Sequence, residues 1–195
     1  MRLRTTIIAA VGAGVLAVAG GTTAVLAAQH HDTTAHGTGA SPVTASGSTA
    51  GSADGVPLAT AVRTAQHRLP DATPVEADLD HDGGPHWEID MLSGGTGRTV
   101  YVDATTGDVQ RVTSDHVDAD DRAAARAKVD LLSAVRAARQ EAPHAPAPSE
   151  ADADLDGGTL VWEVTFGDDD EGNGTEQVVT VDSATGHAAP PTTDD

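Results

Sequence analysis

A strand-and-turn pattern occurs twice in this chain of 195 residues, and the duplication constrains the fold more than any other feature. The first copy runs over Trp87–Gly107 and the second over Trp162–Gly186. Each copy begins with alternating large apolar and polar residues, the period of a half-buried strand. Each ends in Asp-x-x-Thr-Gly, a turn in which Asp accepts backbone N–H groups and Gly takes a positive φ. The sequence therefore predicts two copies of one small fold.

An amphipathic helix is predicted before each copy, and Pro70 and Pro143 end the two helices at the same point. The two apolar stripes match position by position: Leu58, Ala61, Val62, Ala65 and Leu69 in the first, and Leu131, Ala134, Val135, Ala138 and Ala142 in the second. Strands are predicted after the first helix at Val75–Leu79, His86–Leu92, Thr99–Asp103 and Val109–Thr113. The fold class is therefore α+β, with two tandem small units, each a helix packed on an antiparallel β-sheet.

Composition and the repeats divide the chain into six segments. These are a signal peptide or signal anchor (1–28), a disordered linker (29–55), unit 1 (56–113), a linker or helix start (114–128), unit 2 (129–189) and a tail (190–195). Arg2 and Arg4 precede an apolar run that fits either a cleaved signal peptide or an uncleaved membrane anchor. Both alternatives place the remainder outside the cytoplasm, with membrane contact only through this segment if it is uncleaved.

The charge balance restricts the partners of the protein. The chain carries 30 acidic and 11 basic side chains, a formal net charge of −19. Such a surface repels phosphate backbones, which argues against nucleic-acid binding and favours cations or a basic partner. The absence of cysteine from the sequence excludes disulfides, thiolate metal sites and a cysteine nucleophile.

The sharpest chemical motif is a run of alternate acids in the second unit. Asp152, Asp154 and Asp156, followed by Gly157 and then Glu163, satisfy the spacing of a calcium-binding EF-hand loop. However, a Pro-rich loop precedes the run and a strand follows, where an EF-hand has helices. A turn joining two strands explains the same residues without metal. Any calcium is expected to bind loosely at an open turn.

The first unit repeats the acidic pattern with Asp78, Asp80 and Asp82, but Ile89 occupies the position of the final Glu. His81 and His86 flank this turn and could join those acids around a transition metal, although surface histidines in a polar hairpin explain them as well. No other cofactor is expected.

Two further sets of residues have a structural and a functional interpretation. Trp87 and Trp162 are predicted to be core residues rather than a binding platform, because each unit has few other large side chains. A partner peptide could dock on the exposed faces of the strands, or it could add to a sheet edge; the residues of those faces include Glu88, Asp90, Glu163 and Thr165.

No catalytic motif is present in the sequence. It lacks a Gly-x-Ser-x-Gly elbow, a phosphate-binding Gly-x-x-x-x-Gly-Lys loop and a His-Glu-x-x-His zinc motif. We therefore expect a protein that is not an enzyme.

A helix, a Trp-Glu-aliphatic strand and Val-x-Val-Asp-x-x-Thr-Gly together resemble the PepSY domain, and both units show them, over Leu58–Val112 and Leu131–Ala188. The resemblance implies a small α+β unit found in propeptides of thermolysin-type metallopeptidases and in secreted or membrane-attached proteins. It further implies a role in inhibiting or regulating peptidases, with a peptidase or peptide as partner. It carries over no catalytic residue.

Overall fold

Two helices of equal length occupy corresponding places in the two repeats of the computed structural model, which describes residues 55–167 and 176–193. Helix α1 spans Leu58–Arg68 and helix α3 spans Leu131–Glu141. A shorter helix, α2, spans Ala119–Ala124 and is capped by Asp118, whose side chain accepts from the backbone N–H groups of the first turn. The segment predicted as a linker or helix start therefore holds a separate helix that ends before α3 begins.

Four strands follow each long helix. In the first repeat they are β1 (Thr73–Asp80), β2 (His86–Ser93), β3 (Thr96–Asp103) and β4 (Val109–Asp115). In the second they are β5 (Pro148–Asp156), β6 (Thr159–Phe166), β7 (Gln177–Asp182) and β8 (Thr192–Thr193). All eight form one antiparallel sheet in the order β4-β3-β2-β1-β5-β6-β7-β8.

The two repeats meet at the middle of this sheet, where β1 pairs with β5. Ala77 lies opposite Ala151, its counterpart in the other repeat, so the pairing has the symmetry of a local two-fold axis. Both strands also carry a bulge just after a proline, Pro74 in one and Pro148 in the other. The two predicted units are therefore present, and their sheets are continuous.

Each repeat buries its tryptophan between helix and sheet, as predicted. Trp87 is 3% exposed and Trp162 is fully buried. Each indole Nε1–H donates a 2.8 Å hydrogen bond to a backbone carbonyl just before the helix, that of Val56 in the first repeat and of Val129 in the second. Since a buried indole N–H needs an acceptor, the pair of bonds fixes where each helix begins relative to the sheet.

The two Asp-x-x-Thr-Gly turns also have the predicted form. The Asp103 carboxylate accepts from the backbone N–H groups of Thr105 and Thr106, each at 2.8 Å. Asp182 does the same in the second repeat, at 3.0 and 2.7 Å. The closing residue, Gly107, has a φ of 79°, which only glycine adopts without strain.

One prediction about the second unit was wrong. The acidic stretch before Gly157, predicted as a turn, belongs to strand β5, because Ala151, Ala153 and Leu155 supply a weak apolar alternation among the acids. The tail contains β8, which pairs with β7. The predicted signal or anchor segment, almost all of the 29–55 linker and residues 168–175 lie outside the described residues. None of the described helices has the length and hydrophobicity needed to span a membrane.

Candidate functional site

The face of the sheet opposite helices α1 and α3 is lined by carboxylates. Strand pleating sends alternate residues to opposite faces. In β1 and β5 the apolar positions, including Ala77 and Ala151, join the buried core. The alternate positions of the four central strands carry the acids Glu76, Asp78, Asp80, Glu88, Asp90, Glu150, Asp152, Asp154 and Glu163. We call this set the acidic face.

The centre of the acidic face lies where the two repeats meet. Asp78 is the direct cross-strand partner of Glu150, and Asp152 is that of Glu163. Like charges opposite one another in a sheet repel and destabilise the pairing. Basic side chains are also few in the chain, with 11 against 30 acidic ones.

Both burial and repulsion between neighbouring carboxylates raise the pKa values of these acids. Burial, followed by the charges of Glu150 and Glu163, raises the pKa of Asp152 to about 8. Burial, followed by the charge of Asp78, raises the pKa of Glu150 to about 7. Burial and the charge of Asp154 also raise the pKa of Glu163. Near neutral pH the acidic face therefore holds protons that an incoming cation could replace.

The first repeat has its own perturbed acid. Burial, followed by the charge of Glu76, raises the pKa of Asp90 to about 8. Its Oδ1 atom is buried and has no hydrogen-bond partner among the described residues. Asp90 faces Thr99 on β3, and Thr99 is itself buried. Acids with raised pKa values therefore extend from the junction of the repeats to Asp90 on β2, next to the third strand of the first repeat.

The metal candidates of the second unit fall on strands and do not form a loop. Asp152 and Asp154 share one face of β5, with Glu163 across from Asp152 on β6. Asp156 ends β5, and Gly157 and Gly158 make the hairpin turn. An EF-hand wraps its ligands around one point, whereas a strand spaces alternate residues by roughly 6.6–6.8 Å along its axis. Calcium binding at these residues stays a prediction.

In the first hairpin, Asp78 and Asp80 lie on the acidic face and Asp82 lies in the exposed turn. Asp80 Oδ1 accepts from the backbone N–H of Asp82 at 2.6 Å. His81 is exposed in the same turn. His86, by contrast, is buried beside Glu88, with Nε2 3.3 Å from Glu88 Oε1. Only the second of the two predicted histidines therefore joins an acidic cluster among the described residues.

Sequence reasoning missed Glu76 and Glu150 as members of this face. Both sit in stretches whose apolar partners are small, so the alternation that marks a strand is faint there. The signal that could have identified them is the internal repeat, since Glu76-Ala77-Asp78 and Glu150-Ala151-Asp152 are copies of each other. A strand predicted in the first copy predicts one in the second.

Comparison with known proteins finds one family in two places. The PepSY family, described as "Peptidase propeptide and YPEB domain", matches residues 55–113 and 128–188. No curated protein sequence matches the chain. A crystal structure of a lipoprotein candidate from Clostridium difficile 630 superposes with a TM-score of 0.43 at 20% identity, covering 71% of this chain and 93% of the other.

Proposed function

Because this chain belongs to the PepSY family and carries two copies of its domain, we propose that it is a non-catalytic protein outside the cytoplasm that regulates or inhibits peptidases by binding them. The family description refers to peptidase propeptides, which supports a peptidase or its peptide as the partner. The apolar N-terminal segment with its preceding arginines supports the location.

The observation that carries the proposal is the acidic face. Its carboxylates lie on two abutting repeats, and burial and mutual repulsion raise the pKa values of Glu150 and Asp152. Such a cluster destabilises the isolated protein, so the fold alone gives no reason for it. A partner segment rich in Lys or Arg would relieve the repulsion and restore the charged form of each acid. The proposed ligand is therefore a basic stretch of a peptidase.

The test measures binding and inhibition by the full chain against secreted metallopeptidases of its own source. Pull-down from culture supernatant, followed by mass spectrometry, identifies the target, and titration gives the inhibition constant. The double substitution Glu150→Gln with Asp152→Asn should weaken binding at least about tenfold, roughly 1.4 kcal/mol. As a matched control, Glu141→Gln with Asp108→Asn removes two exposed charges elsewhere and should change affinity little.

The acidity of the face adds a second readout. Because Asp152 has a pKa of about 8, binding a cationic segment at pH 6.5 must first displace its proton. Affinity should therefore rise between pH 6.5 and 8.5 and fall with added salt. A wild-type chain that neither binds nor slows any of these peptidases contradicts the proposal. So does equal binding by the double variant and the control.

A second candidate function is loose binding of calcium by the acidic strands. The observation that favours it is the burial and repulsion that raise the pKa of Asp152, with Asp154 and Glu163 as neighbours. Calcium binding to the native state should raise the melting temperature in a dose-dependent way. Substituting Asp152→Asn and Asp154→Asn should abolish the rise. If the rise persists in that variant, these residues are not the ligands.

A further inference from the structure

The end of the β1–β2 hairpin brings an imidazole together with two carboxylates of the acidic face. Asp80 lies opposite His86, and Glu88 follows two residues later, so all three share one face. Their ligand atoms all lie within 4.8 Å of one another. His86 and Glu88 are only 7% and 6% exposed. Polar groups so deeply buried require partners, because removing them from water is unfavourable.

The His86 ring is held in place by a hydrogen bond to a backbone group that is not one of the three candidate ligands. Its Nδ1 lies 2.8 Å from the carbonyl oxygen of Gly84. A carbonyl oxygen can only accept, so Nδ1 carries the proton of this hydrogen bond. In the neutral ring Nε2 is then a lone-pair acceptor, and it faces another acceptor, Glu88 Oε1, at 3.3 Å. Two buried acceptors at that distance repel each other unless a proton or a cation lies between them.

We propose that this position is a binding site for a divalent transition metal of the zinc type, with Asp80, His86 Nε2 and Glu88 as ligands. Zinc takes imidazole nitrogen and carboxylate oxygen together, and three protein ligands leave a fourth position open. Donors around tetrahedral zinc stand roughly 3.4 Å apart, so side-chain movements of about 1 Å close the site. A metal-binding histidine characteristically donates its other N–H to a carbonyl, as His86 does to Gly84.

The second repeat supplies a natural comparison. Asp154 corresponds to Asp80 and Glu163 to Glu88, but Val161 stands opposite Asp154 where the first repeat has His86. The two carboxylates are kept and the imidazole is absent. A borderline metal such as zinc favours the nitrogen donor over carboxylates alone. The site is therefore assigned to the first hairpin only.

The test titrates metal-free, full-length protein with Zn²⁺ by isothermal calorimetry, together with zinc-dependent melting. Wild type should show one saturable site, and zinc should raise its melting temperature. His86→Val, which copies the second repeat, should weaken this site at least ~100-fold, since even outer-shell partners of a metal ligand contribute 10–100-fold. Glu88→Gln, of nearly identical shape, should do the same and decides the question if His86→Val fails to fold.

Two controls separate this site from adventitious binding. His81→Val removes the exposed histidine of the same turn, and Glu163→Gln removes the counterpart of Glu88. Both should bind zinc like wild type. No zinc binding to wild type between pH 6.5 and 8 would overturn the proposal. Equal affinity in wild type and Glu88→Gln, or equal losses in the control variants, would overturn it as well.

Discussion

The ends of the first hairpins in the two repeats differ in one side chain on the acidic face. In β1–β2 the end carries Asp80, His86 and Glu88, whereas in β5–β6 His86 is replaced by Val161. On the helix side, by contrast, the repeats agree down to individual hydrogen bonds, because each indole donates to the carbonyl before its helix at the same 2.8 Å. Packing requirements therefore keep the helix side alike, while the acidic face keeps its carboxylates and differs in its imidazole.

The largest expected effect tests the face that the repeats share. Trp87→Ala and Trp162→Ala each remove a buried indole and leave a carbonyl without its donor. Each should lower the free energy of unfolding by about 3–5 kcal/mol. Because β1 and β5 join the repeats in one sheet, both variants should still unfold in a single transition. Chemical denaturation followed by circular dichroism measures both quantities.

The control for this prediction is the conservative pair Trp87→Phe and Trp162→Phe. These variants keep most of the apolar volume but leave the carbonyl without its donor, so they should cost about 1–3 kcal/mol each. Two separate transitions in either alanine variant would show that the repeats fold independently despite the shared sheet. That result would contradict the reading of the β1–β5 pairing as a cooperative junction.

The shared face is also the part of the molecule that the sequence predicts well. Leu58, Val62 and Ala65 recur at helical spacing, and α1 occupies the predicted place, ending before Pro70. The large alternating residues of β2 and β3 and the Asp-x-x-Thr-Gly turns are equally plain. These features depend on local geometry, either a helical period, a strand period or a turn that needs glycine. Local geometry is what a single sequence records most directly.

The junction of the repeats and the binding candidates could not be predicted in the same way. Pairing of β1 with β5 joins residues far apart in sequence, and the contacts rest on Ala77 and Ala151, which are too small to mark a strand. The alternate acids of β5 also satisfy calcium-loop spacing, because a strand and a calcium loop both place acids at every second residue. Glu88 joins His86 only once the hairpin register is known.

An intermediate effect tests the acidic face through pH. Asp90 in the first repeat and Asp152 in the second both have pKa values raised from 3.8 to about 8, chiefly by burial. The folded state therefore binds more protons than the unfolded chain between roughly pH 4 and 8. Stability is greatest below this window and falls as pH rises through it. The melting temperature should thus be higher at pH 5 than at pH 8.5.

Amide substitutions locate the effect in each repeat. Asp90→Asn and Asp152→Asn imitate the protonated acid, so each should stabilise the protein at pH 8.5 by on the order of 1–2 kcal/mol, since one pKa unit corresponds to about 1.4 kcal/mol. At pH 5 the difference between the variants and wild type should be smaller, because pH 5 lies near the lower end of this window. Asp108→Asn, at an exposed position, serves as the control and should leave the melting temperature unchanged at both pH 5 and pH 8.5. A wild-type melting temperature that rises from pH 5 to 8.5 would contradict this account.

The smallest expected effect compares the equivalent Asp-x-x-Thr-Gly turns of the two repeats. Its pH dependence is the reverse of the preceding one, because these carboxylates lose their stabilising contribution as pH falls. Backbone N–H groups of Thr106 and Thr105 hold the pKa of Asp103 below its usual range. The side chain and backbone of Thr185 do the same for Asp182. These carboxylates contribute stability above the ordinary pKa of Asp, and the contribution is lost as pH falls through their lowered values. Asp103→Ala and Asp182→Ala should therefore each reduce the melting temperature by roughly 2–4 °C at pH 7, and by less at pH 2.5.

Equal losses in the two turn variants would mean that the turn has the same structural role in both repeats. A larger loss for Asp182→Ala is the informative exception, because Asp182 also accepts from the Thr185 hydroxyl at 2.7 Å, whereas Asp103 accepts from the side-chain amide of Gln110 at 3.1 Å. Thr185→Val separates the two cases, since it removes the hydroxyl and leaves both backbone bonds in place. If Thr185→Val lowers the melting temperature while Gln110→Ala does not, the second turn depends on the Thr185 hydroxyl. The two turns then share their backbone hydrogen bonds but differ in the side-chain bonds that stabilise them.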